Sequence, residues 1–519
     1  MAGRVPLAGS FQTEPEAASV VEDPDKTGEA SVTVYLKSRT EQESGSSGHA
    51  SIAELQSRAT TRQVLMAQHS DEYAEAADAL QRFAQSHGLR FRVDVTRRCV
   101  HLEGNQDELA QSLGATLRSY YDGRQRYQAR LGPLLLPAEI EAHTQAVLGF
   151  DQRPVIQHRL TAESDDSGAA GLWPTQIAEL YGIPGTMDAP GQCVGIIALG
   201  GGYLPSDLAT AAESMDRPFP LVVDFPVGGV INNFGGGDTT DEEIALDLQV
   251  MASIVPSARI IVYFAANNLQ GMAQAINQAV TDDVNRPQVV SISWGSAEKF
   301  WTQSARDTMQ SVLEDAARLK VTVVAAAGDA LATAGLRDGS AHVLFPASSP
   351  LVLACGGTSM TLSPDGAKQD EIVWNEDLIG TGGGISDIFE VPDYQKNFKL
   401  PKSFNDGGVR RGVPDVAALA AKSPGYKIML NGQTKMKDGT SAATPLWAAL
   451  IAIANAQRAV PIGLPHPVLY GIPSPCSAIT AGNNRINGIG YDAGPGWNAC
   501  TGLGAPDGAR TITALVTAP

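Results

Sequence analysis

The sequence predicts an α/β protein in which a parallel β-sheet with helices on both faces is preceded by a small α+β domain. Beyond residue 171, short apolar runs rich in β-branched residues alternate with helical patterns, as in parallel sheets that are covered on both faces. Before residue 161, strand patterns alternate with two helical patterns. Gly and Pro are plentiful without any repeat period, which argues against a repeat architecture.

The composition argues against two classes of partner. The chain has 519 residues, of which 43% are hydrophobic and 18% charged, with a formal net charge of -18. Because nucleic-acid binders need basic surfaces, we expect no nucleic-acid partner. The longest apolar run, Leu446 to Ala454, is too short to cross a bilayer, so we expect no membrane partner.

The N-terminal part divides into three segments. Residues 1–30 are acidic and lack periodicity, and we predict a disordered acidic arm. Residues 31–160 form the predicted α+β domain. Its predicted elements are strands at 31–36 and 91–102 and helices at 70–86 and 105–117. Residues 161–171 are small, polar and acidic, which indicates an exposed linker of the kind that proteases cut.

Residues 172–519 form the predicted parallel-sheet domain. Its strands are 193–199, 221–225, 259–264, 289–294 and 321–327. Its helices are 241–254, 271–280, 304–319 and one that starts near residue 441. In such sheets the reacting groups collect at the carboxyl ends of the strands.

Ser441 is a candidate nucleophile. It lies in Gly439-Thr440-Ser441, where a glycine turn leads into the apolar run that ends at Ala454. A serine at such a helix start lies near unpaired amides and the positive end of the helix dipole, which favours an oxyanion nearby. A simple helix cap is the alternative, and this motif alone leaves both interpretations open.

Carboxylates are better placed than histidines to activate this serine. Beyond the linker the only histidines are His342 and His466, and neither lies in a motif suited to a Ser-His-Asp triad. Glu243 and Asp247 are four residues apart and share one face of a predicted helix, which suggests a base and its partner. Two carboxyls held together share a proton, which raises one pKa. Acids that only complement the helix dipole are the alternative.

Asp329 follows the predicted strand 321–327 through Gly328. If it is protonated, it can donate a hydrogen bond to a developing oxyanion; if it is ionised, it repels that charge. Because an Asp side chain ordinarily titrates near ~3.9, this role would confine activity to acid. An exposed turn residue is the alternative.

Seven motifs follow one another in order beyond the linker. They are residues 196–203, Glu243-x-x-x-Asp247, 291–295, 327–329, 345–350, 439–441 and 493–497. In this order they resemble the sedolisin family of serine-carboxyl peptidases, and its kumamolisin branch in particular. The resemblance covers residues 172–519, and the upstream domain resembles the family's prodomain.

The resemblance implies a subtilisin-like α/β fold preceded by a ferredoxin-like inhibitory prodomain that is removed autocatalytically at low pH. It implies an acid-acting endopeptidase that cleaves proteins and peptides through an acyl-enzyme and needs no cofactor for this chemistry. The implied catalytic residues are Ser441 as nucleophile, Glu243 as general base, Asp247 as the partner that orients Glu243, and Asp329 as oxyanion donor. Secretion follows from the resemblance alone, since the N-terminus shows no apolar signal segment.

The sequence departs from the family pattern at Ala198. The resemblance implies a Glu at this position, which extends the carboxylate network through Trp294. We expect activity to survive the change with an altered pH profile.

A second departure lies in the family's C-terminal calcium site. The residues that match this site are Ile479, Gly494, Gly496 and Asn498. Ala478 and Asn498 stand at its two aspartate positions, and calcium affinity depends strongly on the number of carboxylates. We therefore expect calcium binding to be weak or absent unless Asp492 compensates.

Cys476 and Cys500 flank the two altered positions, each two residues outside. A disulfide between them would hold the loop that the metal otherwise holds, an effect of roughly 2–4 kcal/mol. Two buried thiols are the alternative.

Two other functions are open at this point. Glycines after the strand 193–199 suggest a dinucleotide-binding turn, but Pro205 stands where the third glycine belongs. The second is a proteolytically inactive binding or scaffold protein, and the intact set of four candidate residues argues against it.

Overall fold

The computed structural model describes residues 3–15, 18–22, 28–44, 50–155, 171–236, 240–376 and 378–518. The chain forms two compact units. One comprises Met1–Val155, Ala266–Val284 and Lys299–Asp315, and the other comprises Ile156–Ala265, Asn285–Glu298 and Ala316–Pro519. The predicted linker, residues 161–171, lies outside the described residues except for Gly171.

The N-terminal unit combines small antiparallel sheets with short helices. Its strands are β1 (Arg4–Pro6), β2 (Ser19–Val20), β3 (Glu29–Leu36), β4 (Arg90–Asp94), β5 (Cys99–Asn105), β6 (Thr116–Tyr121), β7 (Arg126–Leu131), β8 (Leu135–Pro137) and β9 (Thr144–Leu148). Its helices up to residue 155 are α1 (Arg39–Ser44), α2 (Ile52–Ser57), α3 (Arg62–Glu72), α4 (Ala74–Ser86), α5 (Gln106–Ser112) and α6 (Ala138–Glu141). Four strands form an antiparallel sheet in the order β4-β5-β3-β9.

Helix α4 supplies much of the core of this unit. Ala76, Leu80 and Phe83 recur at helical spacing and are buried in one cluster with Val32 and Val100 of the sheet. The prediction of a small α+β unit is confirmed. The predicted strand 91–102 is two strands, because a short 3-10 turn ending in the left-handed Arg98 (φ 58°) reverses the chain between β4 and β5.

The prediction of a disordered arm at residues 1–30 is wrong for the described parts of that segment. Strand β1 pairs with β8, and Arg4 Nη1 donates to the carbonyl of Leu135 at 2.7 Å. Leu7 is buried in the core, and Gln12 pairs with Gly132. Backbone pairing of this kind needs no periodic pattern of apolar side chains. The acidic composition without periodicity therefore predicted disorder although the segment is paired.

The second sequence domain contributes the remaining elements. Its strands are β10 (Cys193–Leu199), β11 (Leu221–Pro226), β12 (Arg259–Ala265), β13 (Val289–Ile292), β14 (Ser296–Ala297), β15 (Thr322–Ala326), β16 (Leu344–Phe345), β17 (Leu353–Leu362), β18 (Lys368–Val373), β19 (Asn375–Glu376), β20 (Ile379–Gly380), β21 (Gly384–Ile385), β22 (Gly412–Val413), β23 (Val416–Leu419), β24 (Tyr426–Leu430), β25 (Gln433–Lys437), β26 (Cys476–Ser477) and β27 (Ala505–Pro506). Its helices are α7 (Pro174–Leu180), α8 (Pro205–Ser214), α9 (Thr240–Ile254), α10 (Leu269–Thr281), α11 (Gln303–Arg318), α12 (Thr440–Ala456), α13 (His466–Leu469) and α14 (Gly508–Thr517). By their contacts, α10 and most of α11 belong to the N-terminal unit.

An eight-stranded sheet organises the second unit, in the order β11-β12-β10-β13-β15-β17-β18, with β23 also paired to β17. All of its pairs are parallel except β17 with β18. Helix α12 packs on β13, β15, β17 and β23 and against α9. Because it is surrounded, it is apolar on all sides, as a central helix must be. The predicted α/β fold is confirmed.

No helix within the described residues has both the length and the apolar character needed to cross a membrane.

Candidate active site

Ser441 lies where a glycine turn meets the buried helix α12. Gly439 precedes the helix with φ 114°, a backbone conformation that residues with a side chain rarely adopt. Ser441 is 5% exposed, so its side chain lies at the edge of the interior. At the second helical position it is close to amides that have no partner within the helix and to the positive end of the dipole.

Pro445 changes the hydrogen bonding of the first helical turn. Proline has no N–H, so the carbonyl of Ser441, four residues earlier, receives no donor from that position of the helix. Ser293 Oγ lies 3.4 Å from this carbonyl oxygen and 2.6 Å from Asp247 Oδ1. A hydroxyl has one proton, and the shorter contact shows that Ser293 donates to Asp247.

The Glu243 carboxyl is hydrogen bonded to the hydroxyl of Ser441. The pKa of Glu243 is raised to about 8, chiefly by burial and also by the charge of Asp329. The Ser441 hydroxyl and Lys437 oppose this rise because they favour the ionised carboxylate. Glu243 is therefore within reach of the Ser441 proton, as a general base must be.

Asp247 is the most buried member of the site, at 1% exposure. Burial first, and the charge of Glu243 second, raise the pKa of Asp247 well above its usual range. Asp247 Oδ2 and Glu243 Oε1 are buried and find no hydrogen-bond partner in the part of the chain that the structure describes. Because an unpartnered carboxylate oxygen is costly in apolar surroundings, this pair holds a proton.

Asp329 follows β15 through Gly328, which has φ 102°. Its Oδ1 accepts hydrogen bonds from the Thr440 backbone N–H and from Thr440 Oγ1, both at 2.7 Å. Since Oδ1 already accepts two hydrogen bonds, a proton bound to this carboxyl resides on Oδ2. A side chain at Gly439 would place its Cβ 2.9 Å from that Oδ2, so the glycine also makes room for the carboxyl.

The structure thus brings together all four predicted side chains, from α9, the end of β15 and the start of α12. Sequence reasoning missed two residues that position them, Ser293 and Thr440. Ser293 directly follows β13, and a polar residue at the carboxyl end of a parallel strand was the available signal. Thr440 carried no signal beyond its place next to Ser441.

Neither His342 nor His466 is hydrogen bonded to Ser441. His342 Nε2 lies 2.9 Å from Asp338 Oδ2, and the buried His466 Nε2 lies 3.1 Å from the carbonyl oxygen of Val352. These two histidines are therefore not the base that activates Ser441.

Ala198 is fully buried in β10. The indole N–H of Trp294 donates to the carbonyl of the neighbouring Ile197 at 2.8 Å. A backbone acceptor therefore receives the indole proton on this strand.

The residues of the expected calcium site do not fit a cation. Asn498 Nδ2 donates to the carbonyl of Ile479 at 3.0 Å. Asn498 Oδ1 accepts from the N–H groups of Cys500 and Thr501 and from Thr501 Oγ1. One carbonyl that would bind a cation is thus engaged by an amide, and the amide oxygen is engaged as well.

Asp492 does not compensate for the missing carboxylates. It pairs with Arg485 at 2.7 Å in an exposed position. Gly494 and Gly496 lie between this residue and Asn498 without contributing a carboxylate. Across the described ranges, no group of three or more His, Cys, Asp or Glu side chains is arranged to hold a metal ion.

The hypothesis of a Cys476–Cys500 disulfide is wrong, because both thiols are free and buried. Cys500 Sγ donates to the carbonyl of Tyr491 at 3.2 Å. Burial raises the pKa of each thiol to about 12. The two cysteines therefore stay protonated and pack as small apolar side chains.

Comparison with known proteins agrees with this geometry. The pro-kumamolisin activation domain matches residues 16–153, and the subtilase family matches residues 230–464. The activation-domain match begins inside the segment predicted to be an arm. Kumamolisin from Bacillus sp. (strain MN-32) is 40% identical over 476 residues, which cover 88% of this chain and 85% of that protein.

Sedolisins are related at a greater distance. Sedolisin from Pseudomonas sp. (strain 101) is 28% identical over 483 residues, which cover 86% of this chain and 80% of that protein. The structure of Pseudomonas sedolisin, a serine-carboxyl proteinase complexed with two molecules of pseudo-iodotyrostatin, has a TM-score of 0.59 at 28% identity and covers 67% of this chain and 98% of the sedolisin. The fold is therefore subtilisin-like, and the chain belongs to the sedolisin family of serine-carboxyl peptidases and carries the activation domain found in pro-kumamolisin.

Proposed function

We propose that this peptidase is the zymogen of an acid-acting endopeptidase whose nucleophile is Ser441. Glu243 is its general base, Asp247 orients Glu243, and Asp329 is the oxyanion donor. The proposal rests on one observation above all. The Ser441 hydroxyl is hydrogen bonded to the half-buried carboxyl of Glu243, which lies one helical turn from the buried carboxyl of Asp247.

The reacting form has one negative charge on the Glu243–Asp247 pair and a proton on Asp329. Because burial raises the pKa of Glu243 to about 8, this form is a minor fraction of the enzyme in acid. The hydroxyl of Ser441 and the charge of Lys437 favour the ionised form of Glu243. The more deeply buried Asp247 keeps its proton, because burial penalises its charge most. The charge thus lies on the carboxyl that contacts the nucleophile.

In acylation, Ser441 Oγ attacks the scissile carbonyl carbon while its proton passes to Glu243. The carbonyl oxygen becomes negatively charged and accepts a hydrogen bond from the protonated Oδ2 of Asp329. Glu243 then gives the proton to the leaving amine, the C–N bond breaks, and an ester joins the substrate to Ser441.

In deacylation, a water molecule gives a proton to Glu243 while its oxygen attacks the ester carbon. Asp329 again stabilises the oxyanion, and the proton on Glu243 returns to Ser441 Oγ as the ester bond breaks. Both steps need a neutral Asp329, so activity falls as rising pH ionises it.

Acidification of the purified precursor tests the proposal. We expect mass spectrometry to show that the native chain loses its activation domain and that a Ser441→Ala chain, incubated by itself, stays at full length. The control Ser206→Ala, which changes an exposed serine, should be processed like the native chain. A folded native chain that keeps its full length, or a Ser441→Ala chain that shortens by itself, would contradict the proposal.

A peptide blocked at both ends and carrying an internally quenched fluorophore tests the endopeptidase assignment. We expect the processed enzyme to cleave it at acid pH. Cleavage that requires a free amino terminus would instead indicate an exopeptidase. The proposed partners are protein and peptide substrates, and the activation domain is the proposed intramolecular inhibitor. We place the mature enzyme in an acidic environment outside the cell, because such an environment matches the requirement for a protonated Asp329.

We also propose that the chemistry needs no cofactor and that the loop around Asn498 is held without calcium. The hydrogen bonds of Asn498 to Ile479 and Thr501 support this. We expect the thermal unfolding midpoint of the processed enzyme to be the same with added calcium and with a chelator. A midpoint that rises with calcium concentration would contradict the proposal, because a ligand that binds the folded state raises that midpoint.

A further inference from the structure

Residues 380–382, which we call the support segment, lie against the backbone of Asp329. The N–H of Gly380 donates to the carbonyl oxygen of Asp329 at 2.9 Å, and the N–H of Gly382 donates to the carbonyl oxygen of Gly328 at 2.6 Å. The backbone that carries the proposed oxyanion donor is therefore held at two successive carbonyls, while its carboxyl is held from the start of α12.

The two glycines allow this close approach. A Cβ added at Gly382 would lie 2.1 Å from the carbonyl oxygen of Ala327, and a Cβ added at Gly380 would lie 2.6 Å from the carbonyl oxygen of Trp374. Neither position has room for a side chain. Thr381 is therefore the residue whose side chain can attach the support segment to the rest of the unit.

The Thr381 side chain makes this attachment in the interior. Thr381 is fully buried. Its Oγ1 accepts the N–H of Gly357 in β17 at 2.8 Å and lies 2.9 Å and 3.3 Å from the carbonyl oxygens of Gly382 and Cys500, which can take its proton. Strand β17 is paired with β15, the strand that leads to Asp329. One hydroxyl thus connects the support segment to the sheet that carries the donor.

We propose that Thr381 is a positioning residue for the oxyanion donor. The inference rests on the proposed role of Asp329. A preorganised donor stabilises the transition state only if it lies at hydrogen-bond distance from the place where the oxyanion forms. The hydroxyl of Thr381 fixes the support segment, and the support segment fixes the Asp329 backbone from which the carboxyl extends.

Thr381→Val tests the inference in the processed enzyme, because valine has nearly the shape of threonine but no hydroxyl. The Gly357 N–H then lacks its acceptor, and the support segment lacks its attachment to β17. We expect kcat to fall by roughly 10- to 100-fold, the effect of a displaced catalytic group. KM should change by less than about threefold, because ground-state binding does not depend on the donor. Thr381→Ser keeps the hydroxyl and should restore most of kcat.

The matched control is Thr511→Val. Thr511 is also fully buried, and its Oγ1 accepts the N–H of Asp507 at 3.0 Å and donates to the carbonyl of Pro475 at 2.8 Å. This variant loses the same kind of hydrogen bonds on α14, and we expect it to keep the native kcat per active molecule. An equal fall of kcat in both valine variants would overturn the role of Thr381.

A pair of inhibitors separates positioning from a general structural effect. A peptide aldehyde, with the sequence on the acyl side of a cleaved reporter peptide, adds Ser441 Oγ to its carbonyl carbon and places its oxygen beside Asp329. The matching peptide alcohol has no carbonyl and lacks this contact. We expect Thr381→Val to weaken the aldehyde by about the same factor as kcat and to leave the affinity for the alcohol nearly unchanged. Equal weakening of both inhibitors would contradict the proposal.

Two further variants keep the outcomes distinct. If Thr381→Val does not fold, Thr381→Ala removes the same hydroxyl with a smaller side chain and should give the same selective loss of kcat and aldehyde affinity. If Asp329→Ala stays at full length in acid while the folded Thr381 variant keeps the native kcat and inhibitor affinities, only the role of Thr381 is overturned. If Asp329→Ala processes itself at the native rate, the proposed function itself fails.

Discussion

The active site and the N-terminal unit bury titratable groups that respond to acid in opposite ways. In the active site, burial raises the pKa values of Glu243 and Asp247. In the N-terminal unit, burial lowers the pKa of His101 to about 4. Burial favours the neutral form in both regions. Acidification, however, neutralises a carboxylate and charges an imidazole. The same physical cause therefore stabilises the active site in acid and destabilises the N-terminal unit in acid.

Hydrogen bonds around His101 require the neutral ring. Thr33 Oγ1 accepts from Gln270 Nε2 at 3.0 Å and from Gln274 Nε2 at 2.8 Å, so its own proton goes to His101 Nδ1 at 3.1 Å. A proton on Nδ1 would leave the Thr33 hydroxyl without its acceptor. The two glutamines lie on α10, so this network joins strands β3 and β5 to a helix from the peptidase sequence within one unit.

The direction of each pH effect follows from linkage. A Glu side chain ordinarily titrates near ~4.3, so the stability that Glu243 gains from its raised pKa is complete below that value and is lost as the pH rises through about 8. A His ordinarily titrates near ~6.5, so the stability from neutral His101 is complete above that value and is lost as the pH falls through about 4.

The largest expected effect concerns the base. Glu243→Gln should lower the rate of self-processing in acid by roughly 10² to 10⁴, the usual contribution of a general base. It should also reduce the loss of stability between pH 4 and pH 8, because a buried group with a raised pKa is gone. Processing rates from gel densitometry and urea unfolding at both pH values check the two effects. A Glu243→Gln variant that processes itself at the native rate would show that Glu243 is not the general base.

A second variant disturbs the oxyanion donor without changing any charge. Gly439→Ala should lower kcat by roughly 10² to 10³, the cost of losing one such donor, because its Cβ would lie 2.9 Å from Asp329 Oδ2 and its φ is 114°. Gly432→Ala is the matched control, since Gly432 also has a positive φ but no atom within 4 Å of an added Cβ. Equal losses in the two variants would show that backbone strain, and not displacement of Asp329, is the cause.

A third variant acts on the N-terminal side. His101→Gln should lessen the acid-induced destabilisation of this unit by up to about 3 kcal/mol, on the order of the difference between ~6.5 and about 4. The charged neighbours that also set the titration of His101 are Arg92, Arg97 and Asp94. Hydrogen exchange of the amides in β3 and β5 at pH 6.5 and pH 4, in a Ser441→Ala chain that stays intact, measures the effect.

The control for this third variant is His87→Gln, which removes an exposed histidine of the same unit. We expect it to exchange like the parent chain. If His101→Gln also shows the parent's increase in exchange at pH 4, the acid sensitivity of the N-terminal unit comes from other groups.

The smallest expected effect is at Ala198. Restoring the family's carboxyl with Ala198→Glu should shift the pH–rate profile by less than about one unit and leave the maximum rate nearly unchanged, because Trp294 already has the Ile197 carbonyl as acceptor. An identical profile would show that this position is not coupled to the base.

Much of the site was predictable because its chemistry leaves a pattern. Buried parallel strands such as β10 and β12 are continuous apolar runs in the sequence. Glu243 and Asp247 are recognisable because two carboxylates at helical spacing stand in an otherwise apolar segment. Asp329 was predictable from its place after a strand.

Other features leave no pattern in the side chains. The pairing of β1 with β8 uses backbone groups, which any sequence supplies. The donation of Asn498 to Ile479 depends on how a loop closes. Ser293 is one serine among many until the fold brings it to Asp247.

Infrared difference spectroscopy tests the central claim most directly, because a protonated carboxyl has a C=O band that a carboxylate lacks. We predict that the native full-length chain at pH 6.5 shows a buried protonated carboxyl band that weakens in Asp247→Asn, because burial raises the pKa of Asp247 well above its usual range. Identical spectra for the two chains at pH 6.5 would show that no proton is held on Asp247, and would contradict the account of a carboxyl pair that activates Ser441.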